Sequence, residues 1–450
     1  MSQYPSRFFA REGVDPLRYA FDSKIAVHAG AGGHPLSREE VLPTWQALGN
    51  RPDASSRRVI YIHVPFCRKQ CLYCGFFMRT LGRGDSTCYT DALLREMEQV
   101  SCLSAVTGHP IHAVYMGGGT PTALDTVDLE RLLEAVRGFF PLADDCEITV
   151  EARAADFEEE KVRACVAGGV NRFSVGVQSF NTKVRQQVGR ILNRTDVLEM
   201  LTNLTDMVDN SVTIIDLIYG LPDQTMTIWE DDLRTLIEET SIDGVDLYQL
   251  NVFKDSLLTR AVNKGKLSPP ADISCQAEMF LRGRETLEAA RFRRLSMSHW
   301  GRSPGERNRY NTFIRCGATC FPLGCGAGGR LHGHYFFQEA DLKAYYKQVN
   351  AGEKPLAMAI RLPACSPLFR NLAEQMEKGD MNLTALGQQH GFDLEAIFFP
   401  LLEQWEQTGL IKRQGNGQIE LTVAGEFWNV NLTQFLIDYF QHYHQEDAQS

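Results

Sequence analysis

The stretch YIHVPFCRKQCLYCGFF, residues 61–77, joins an apolar run to three cysteines, Cys67, Cys71 and Cys74. Their C-x3-C-x2-C spacing in a short loop suits a cubane [4Fe–4S] cluster, whose usual protein ligands are thiolates. Three thiolates on four irons leave one iron open, and an open coordination site lets a metal centre bind and activate a small molecule. The spacing therefore predicts a cluster with one accessible iron.

Two other interpretations of the triplet are a zinc site and three incidental buried thiols. Zinc would need a fourth Cys or His ligand, and His63 is the nearby candidate. The chain has 12 cysteines, and its N-terminal sequence lacks the apolar run of an export signal. Clustered cysteines in a reducing compartment indicate metal binding or redox chemistry rather than disulfides.

From Val59 onward, short apolar runs alternate with amphipathic stretches of helical length. Alternation at this pitch predicts parallel βα units, and six of them make a partial barrel rather than a closed one. In such barrels the chemistry gathers at the carboxyl ends of the strands. The predicted strands are 59–64, 113–117, 147–152, 172–177, 212–220 and 245–253, and the helices between them are 89–101, 126–139, 157–167, 181–189, 194–208 and 227–239.

The rest of the chain is less regular, and we predict four segments in an α/β fold. Residues 1–57 form an N-terminal extension, 58–255 the partial (β/α)6 barrel, 256–337 a barrel-completing substrate region, and 338–450 a mostly helical C-terminal domain. Loops rich in glycine and cysteine are expected over 299–334. LIKRQGNGQIELT (410–422) predicts a two-stranded β-wing around a Gly-Asn-Gly turn.

Composition limits the partners. Hydrophobic residues make up 44% of the 450 residues and charged residues 23%, which is typical of a globular protein with a core. The formal net charge of −10 repels phosphate backbones, so nucleic acid is not an expected partner. No apolar stretch approaches the length of a membrane span. The expected location is the cytoplasm.

The triplet resembles that of the radical SAM superfamily, and its flanks, YIHVPFC and YCGF, resemble the branch around oxygen-independent coproporphyrinogen oxidase (HemN-like). The resemblance runs over about 58–255 and more weakly to the C-terminus. It implies that the barrel is a radical SAM barrel. It also implies that Cys67, Cys71 and Cys74 bind the [4Fe–4S] cluster, while S-adenosylmethionine chelates the open iron and is cleaved to a 5′-deoxyadenosyl radical.

Further motifs follow in the order of that superfamily. MGGGTPT (116–122) resembles the glycine motif that receives the methionine amino group, where backbone must approach the ligand closely. A guanidinium suits the methionine carboxylate because it pairs bidentately. The cofactor-binding residues that the resemblance implies are Tyr61, which is also counted as catalytic with the three cysteines, and Tyr73, Gly117, Gly118, Gly119, Thr120, Glu151, Gln178, Arg190 and Asp216.

Three groups of the branch compete. The oxidases carry a fourth cysteine in a CGC sequence where this chain has Phe76. The haem chaperones carry an HNR-type motif, where ERNRY (306–310) places Arg307 at the histidine position. The triplet followed by GFF, together with DPLRYAF…AVHAG (15–30), resembles the HutW/ChuW haem-utilisation group more closely.

The haem-utilisation group consists of radical SAM methyltransferases. The resemblance implies anaerobic haem degradation, in which a carbon radical opens the porphyrin to a methylated linear tetrapyrrole and iron is released. It also implies two molecules of S-adenosylmethionine, haem as substrate, and a flavodoxin- or ferredoxin-type electron donor. The alternatives are an oxidase-like decarboxylase and a haem-binding chaperone.

Two further patterns could mislead. GCGAGG (324–329) satisfies the dinucleotide-binding G-x-G-x-x-G spacing, but FPL before it is too short a strand and RLHGHYF after it is a poor helix start. A glycine turn is the preferred interpretation. Cys316, Cys320 and Cys325 could hold a second metal centre or ligate haem, although free buried cysteine is common.

Overall fold

The computed structural model describes residues 6–25, 29–30, 32–53, 57–208 and 211–447. Residues 26–28 of the DPLRYAF…AVHAG stretch lie outside the described part. The chain folds as two compact units: a barrel unit, Gly33–Pro269 with Gly301–Leu362, and a terminal unit, Met1–Gly32 with Pro270–Trp300 and Pro363–Ser450. The four segments predicted from the sequence are a different division and stay a prediction.

The barrel unit contains the six predicted parallel strands in chain order. Each strand pairs in parallel with the next one, so their carboxyl ends share one rim. This confirms the predicted (β/α)6 arrangement. The strands are β1 (Arg58–Val64), β2 (Ile111–Gly118), β3 (Leu142–Arg153), β4 (Arg172–Gln178), β5 (Val212–Tyr219) and β6 (Gly244–Gln249).

Helices connect the strands close to their predicted bounds. Apolar residues at helical spacing turn one side of each helix to the sheet, as Trp229, which is fully buried, does in the last one. Side-chain caps fix several starts, including a capping box at Asn193. The helices are Asp85–Ser101, Thr126–Phe139, Glu159–Ala167, Thr182–Gln187, Arg194–Met207 and Met226–Glu238, with Arg38–Gly49, Ser104–Thr107, Leu257–Asn263, Arg309–Arg315 and Leu342–Asn350 elsewhere in the unit.

Strands also occupy residues that we expected to be loops or helix. The expectation of loops throughout 299–334 is wrong, because β7 (Thr319–Leu323) and β8 (Gly328–Leu331) lie there and β9 (His334–Gln338) begins at its last residue. β10 (Leu356–Arg361) interrupts the predicted helical segment. β7 pairs in parallel with β1, and β8, β9 and β10 follow as antiparallel neighbours. The order of these strands in the sheet is β10-β9-β8-β7-β1-β2-β3-β4-β5-β6.

Strands β7 to β10 form an extension of the sheet beyond β1, which we call the sheet extension. A buried ionic network joins it to the helix Asp85–Ser101. Glu96 accepts hydrogen bonds from Lys354 Nζ, from Tyr345 Oη at 2.7 Å and from the backbone N–H of Gly324 at 2.9 Å. Because the Glu96 carboxylate is fully buried and paired, removing a partner would leave an uncompensated charge. The network therefore fixes the turn that follows β7.

A second buried ion pair ties β4 to the segment before the helix Arg309–Arg315. Arg172 and Glu306 are 2% and 0% exposed, and their closest N–O distance is 3.0 Å. Burial alone would lower the pKa of the Arg172 guanidinium, but Glu306 and Glu147 raise it above its usual value. Glu147 also accepts the backbone N–H groups of Arg309 and Tyr310, both at 3.1 Å. These carboxylates hold the start of the helix inside the barrel.

The terminal unit has its own aromatic core. Phe8 packs edge-on against Phe435 and Tyr439, and the indole N–H of Trp405 donates to the Phe8 carbonyl at 3.0 Å. The residues around Phe8 thus pack among the C-terminal helices, whereas the helix Arg38–Gly49 of the same N-terminal segment belongs to the barrel unit. The helices of this unit are Pro16–Tyr19, Ile273–Ala289, Ser366–Lys378, Leu383–His390, Leu394–Gln407, Val423–Phe427 and Asn429–Asp447.

The predicted wing is present in the terminal unit with one strand more than expected. Ile411–Arg413 and Gln418–Leu421 pair in antiparallel fashion around the Gly-Asn-Gly turn, and Asp380–Asn382 adds a third strand on the other side of Gln418–Leu421. The third strand is distant in sequence, which is why the local pattern did not indicate it. Among the described residues, no helix is both long enough and apolar enough to cross a membrane.

Candidate active site

The cysteine loop lies at the carboxyl end of β1. All twelve cysteines are free thiols. Thr120 Oγ1 donates to Cys67 Sγ at 3.3 Å, and the Phe76 backbone N–H donates to Cys74 Sγ at 3.3 Å. Burial raises the pKa of the Cys67 and Cys74 thiols, whereas these donors lower it. Donors aimed at sulfur favour thiolate, the form that binds metal.

The three thiols influence one another. Cys71 and Cys74 both raise the pKa of Cys67, as expected for like charges held near each other. No group of three Cys, His, Asp or Glu side chains in the described residues converges tightly enough for a single metal ion. A cubane needs no such convergence, because each thiolate binds a different iron. The arrangement fits a [4Fe–4S] cluster.

The loop is supported on two sides. The Leu72 N–H donates to the Val188 carbonyl at 3.0 Å, and the Leu72 carbonyl accepts from the Leu258 N–H at 2.9 Å. Gly189 (φ +96°) lies so close that a Cβ there would be 3.4 Å from the Cα of Cys71. Loops after β4 and β6 therefore hold the cysteine loop in place.

The glycine motif runs directly past the cysteine loop. The Gly119 and Thr120 N–H groups donate to the carbonyls of Val64 and Phe66 at 2.8 and 2.7 Å. A Cβ on Gly119 would be 2.4 Å from the Phe66 oxygen, so only glycine allows this approach. Gly118 has φ +104°, and its missing side chain makes room for the His63 ring. The motif's glycines are required by close packing at this edge.

Glu151 lies beside the same motif. Its carboxylate accepts from Tyr115 Oη at 2.6 Å and from the Gly118 N–H at 3.1 Å. A Cβ on Gly117 would be 2.8 Å from that carboxylate. Burial raises the pKa of Glu151, and the two hydrogen bonds oppose this. Glu151 is thus a fixed acceptor on the inner face of the barrel.

A third group of predicted residues meets at the end of β4. Arg190 donates through Nε and Nη2 to Tyr73 Oη at 3.2 and 2.9 Å. A Cβ on Gly176 would be 2.7 Å from Gln178 Nε2 and 3.0 Å from Arg190 Nη2, so glycine gives both side chains room. Gln178 has the strained φ of +73°. Arg190 Nη1 and Gln178 Oε1 are buried without a partner, as groups that await a ligand would be.

Asp216 completes the set in a cluster of acids. It pairs in register with Gly176 on one side and with Asp246 on the other. Burial, Asp246 and Glu151 raise the pKa of Asp216, and Arg190 lowers it. The structure therefore brings all the predicted residues to one end of the barrel, in three connected groups around the cysteine loop.

A buried carboxylate, that of Asp232, supports the backbone next to this site. Asp232 accepts from Ser179 Oγ at 2.8 Å, from the Phe180 N–H at 2.6 Å and from Gln224 Nε2 at 3.3 Å. These bonds fix the turn that directly follows Gln178. Burial raises the pKa of Asp232 to about 6, although its hydrogen bonds act in the opposite direction.

Asp232 should therefore make the protein's stability depend on pH in an unusual direction. Its folded pKa lies above the unfolded value of 3.8, so between about pH 4 and pH 6 the folded state binds the proton more tightly. As pH falls through this window, wild type should gain up to about 3 kcal/mol in free energy of unfolding relative to Asp232→Asn. Urea unfolding of both proteins at several pH values measures this; a pH-independent difference would contradict it.

Three residues near the predicted Tyr61, namely His63, Tyr115 and Tyr310, were not among the predicted site residues. Tyr61 Oη lies 3.0 Å from His63 Nδ1, and His63 Nε2 is buried without a partner. Burial lowers the pKa of His63 to about 4, so the ring is neutral near neutral pH. The rings of Tyr115 and Tyr310 are in contact, with centroids 4.7 Å apart and planes tilted by 32°. The signal in the sequence for His63 and Tyr115 was a polar side chain between apolar neighbours, Ile62 and Val64 in β1 and Val114 and Met116 in β2.

The cysteines of the second group do not converge on a single metal position in the described residues. Cys316 is exposed, whereas Cys320 and Cys325 are buried. Cys320 Sγ is 3.9 Å from Tyr310 Oη, and Cys325 Sγ donates to the Ala340 carbonyl at 3.5 Å. Burial raises the pKa of Cys320 to about 11 and that of Cys325 to about 12. These two thiols have separate surroundings, and burial disfavours the thiolate form of both.

The GCGAGG sequence is a packing turn. Contrary to our expectation, a strand (β7) does precede it, but strand β8 rather than a helix follows, so the dinucleotide interpretation still lacks its helix. A Cβ on Gly324 would be 2.4 Å from both the His63 carbonyl oxygen and Tyr89 Oη. Tyr89 Oη also accepts from the Cys325 N–H at 3.1 Å. The glycines let the turn close against the end of β1.

Comparisons with known proteins agree with this geometry. A model of the radical SAM superfamily matches residues 61–236. The chain is 37% identical over 434 residues to the anaerobilin synthase of Escherichia coli O157:H7, which covers 96% of this chain and 95% of that protein. It is 32% identical over 335 residues to the heme chaperone HemW of Synechocystis, in an alignment that covers 72% of this chain and 78% of that protein.

A solved structure matches over nearly the whole chain. The coproporphyrinogen III oxidase HemN from Escherichia coli has a TM-score of 0.76 and 23% identity, with 91% of this chain and 97% of that chain covered. At this identity the match concerns the fold, and it supports the barrel with its added segments.

Proposed function

This chain belongs to the radical SAM superfamily and to the family of anaerobilin synthase, and from that premise we propose that it degrades haem without oxygen, as a radical SAM methyltransferase. The porphyrin ring is opened to a methylated linear tetrapyrrole and iron is released. The resemblance predicted from the sequence is confirmed. The observation that carries the function is the 37% identity to an anaerobilin synthase over 95% of that protein.

The cofactors of the superfamily are a [4Fe–4S] cluster and S-adenosylmethionine. When bound, they supply a carbon-centred radical through reductive cleavage of the sulfonium bond. We propose that Cys67, Cys71 and Cys74 hold the cluster, with Thr120 and the Phe76 N–H stabilising two of the sulfurs as thiolates. Their role as ligands is supported by the spacing and by the sulfur-directed donors.

The remaining predicted residues would bind S-adenosylmethionine. Arg190 offers the methionine carboxylate a guanidinium with a buried unpartnered Nη1. The glycine edge that includes Gly117 offers backbone groups to the amino group, and Glu151 and Asp216 offer acceptors to the nucleoside. Tyr61 and Tyr73 flank this space, and Gln178, held in a strained conformation, adds its buried amide oxygen.

Three parts of the proposal are more specific than membership of the family. Methyl transfer calls for a second molecule of S-adenosylmethionine near the first. Reductive cleavage calls for a one-electron donor, for which a flavodoxin or ferredoxin is suitable. The proposed location is the cytoplasm, where a chain with twelve free thiols stays reduced.

Two alternatives are less well supported. A coproporphyrinogen decarboxylase shares the fold, but this chain has the exposed Phe76 where those enzymes have a fourth cysteine. A haem chaperone matches at lower identity and coverage, and Arg307 occupies the position of its motif histidine. Neither difference affects the cluster.

One assay separates the three. The reconstituted protein is incubated without oxygen with haem, a reductant and S-adenosylmethionine that carries an isotopically labelled methyl group. We expect a linear tetrapyrrole that contains the label, together with released iron. Unaltered haem bound at stoichiometric amounts would favour the chaperone. Carbon dioxide from coproporphyrinogen in a parallel reaction would favour the decarboxylase.

A further inference from the structure

The sheet extension carries an exposed apolar surface that the site described so far does not use. Tyr335, Phe337 and Met358 are 40%, 37% and 41% exposed. They lie on adjacent strands, and Phe337 pairs in register with Met358. We call these three residues the apolar wall. Scattered exposed apolar residues are normal, but a contiguous group marks a binding surface.

Strand pairing places the apolar wall on the inner face of the barrel. Residues paired directly across strands point to the same side of a sheet. Val59, two residues before Tyr61 on β1, pairs with Cys320, which pairs with Arg330, which pairs with Tyr335. Tyr61 and Tyr335 therefore project from the same face, and Phe337 follows two residues after Tyr335.

The opposite face of the extension is covered. Phe336 and Ala359 are fully buried, and the Phe336 ring packs edge-on against Trp45 at a centroid distance of 5.0 Å. The alternation of buried and exposed residues along β9 is thus fixed by packing on one side. The apolar wall is held rigidly in place while its own rings stay accessible.

The distance from β1, which carries Tyr61, to β9, which carries two residues of the apolar wall, suits a macrocycle. Neighbouring strands are about 4.8 Å apart, so three steps from β1 to β9 span about 14 Å. This is comparable to the width of a porphyrin. Tyr310 covers Cys320 on this face, so a flat apolar ligand with one edge near Tyr61 would reach the apolar wall on the carboxyl-end side of Cys320.

The distribution of charged residues also favours a ligand at the apolar wall. The acids of the site, Glu151, Asp216 and Asp246, lie on β3, β5 and β6, and they would repel the propionate carboxylates of a porphyrin. β8, β9 and β10 contain no Asp or Glu, and Arg330, which pairs in register with Tyr335, projects from the same face as the apolar wall. The extension is therefore the side of the inner face that suits a ligand with an apolar body and anionic substituents.

We propose that the apolar wall binds the face of the tetrapyrrole substrate and positions the ring relative to the cofactor. This inference rests on the proposed function, since it assigns a surface to the same substrate. Tyr335 and Phe337 would contact the macrocycle through their rings, and Met358 would fill the space beside them with its polarisable thioether. These are positioning residues.

The test is the double substitution Tyr335→Ala with Phe337→Ala in the reconstituted protein. Titration with ferric haem, followed by its visible absorption, should show affinity weaker by about tenfold or more. Cleavage of S-adenosylmethionine in the absence of haem should stay at the wild-type level, because the cluster and its loop are untouched. Phe139→Ala is the control, since Phe139 is an equally exposed aromatic (39%) at the end of the helix Thr126–Phe139.

Haem affinity within twofold of wild type would overturn the inference. A variant that loses cleavage of S-adenosylmethionine as well as haem binding would also overturn it, because the residues would then act on the fold as a whole. The single substitution Phe337→Leu keeps an apolar side chain and leaves Tyr335 in place, so it should retain most of the wild-type haem affinity that the double variant loses. The proposed function fails separately, if wild type itself opens no haem in the labelled assay.

Discussion

Replacing Cys67, Cys71 and Cys74 together with alanine should remove the iron–sulfur absorption of the reconstituted protein and abolish turnover of haem. The three thiolates are the ligands of the proposed cluster, so the substitution leaves it without its protein ligands. Without the cluster no electron reaches the sulfonium bond. Visible absorption, iron content and formation of 5′-deoxyadenosine measure the loss.

The matched control replaces three other cysteines. Cys88, Cys102 and Cys316 are exposed and lie outside the loop, so their triple alanine variant should retain the absorption and the turnover. Turnover that survives in the first variant would exclude the radical mechanism. Loss of the cluster in the control would show that the absorption comes from a different set of thiols.

Glu306→Ala is expected to lower the free energy of unfolding by about 3–5 kcal/mol, the usual cost of leaving one buried charge unpaired. Arg172 is 2% exposed and donates to Glu306 through both Nε and Nη2. Its guanidinium cannot release its proton at accessible pH, so the charge stays buried after the substitution. Urea unfolding followed by tryptophan fluorescence measures the change.

An exposed ion pair provides the comparison. Glu159 and Arg163 are 67% and 69% exposed, and Glu159→Ala should change the stability by less than about 0.5 kcal/mol. Replacing Arg172 and Glu306 together with Met and Leu should recover part of the loss, because no charge then remains buried. Equal stability of Glu306→Ala and Glu159→Ala would contradict the assigned role of the pair.

Local pattern was enough to predict the barrel. Each parallel strand is buried on both faces over most of its length, which gives largely apolar runs such as VIYI (59–62), and the helices between them carry their own periodicity. Strand β7 was missed for a physical reason: its sequence TCFPL contains a proline and is followed by a glycine-rich turn. Only pairing with β1, far away in the chain, makes it a strand.

The site was predictable as far as motifs extend. Gly119 and Arg190 belong to stretches with a recognisable resemblance, and the structure brings them to one end of the barrel. Asp246 and Asp232 carry no motif, and their importance arises from what they face: Asp246 pairs with Asp216, and Asp232 holds the turn after Gln178. The ion pair of Arg172 with Glu306 joins residues 134 apart, which no local pattern indicates.

The pairing of β7 with β1 also orders events on the ribosome. While the chain is being synthesised, β1 can pair with β2 early, but its other edge stays open until residue 323 has been made. An open strand edge invites pairing with other chains, and contacts between distant residues form slowly. The nascent chain therefore exposes this edge, next to the loop that carries Cys67, for most of translation, and the loop is complete long before the second neighbouring strand is in place.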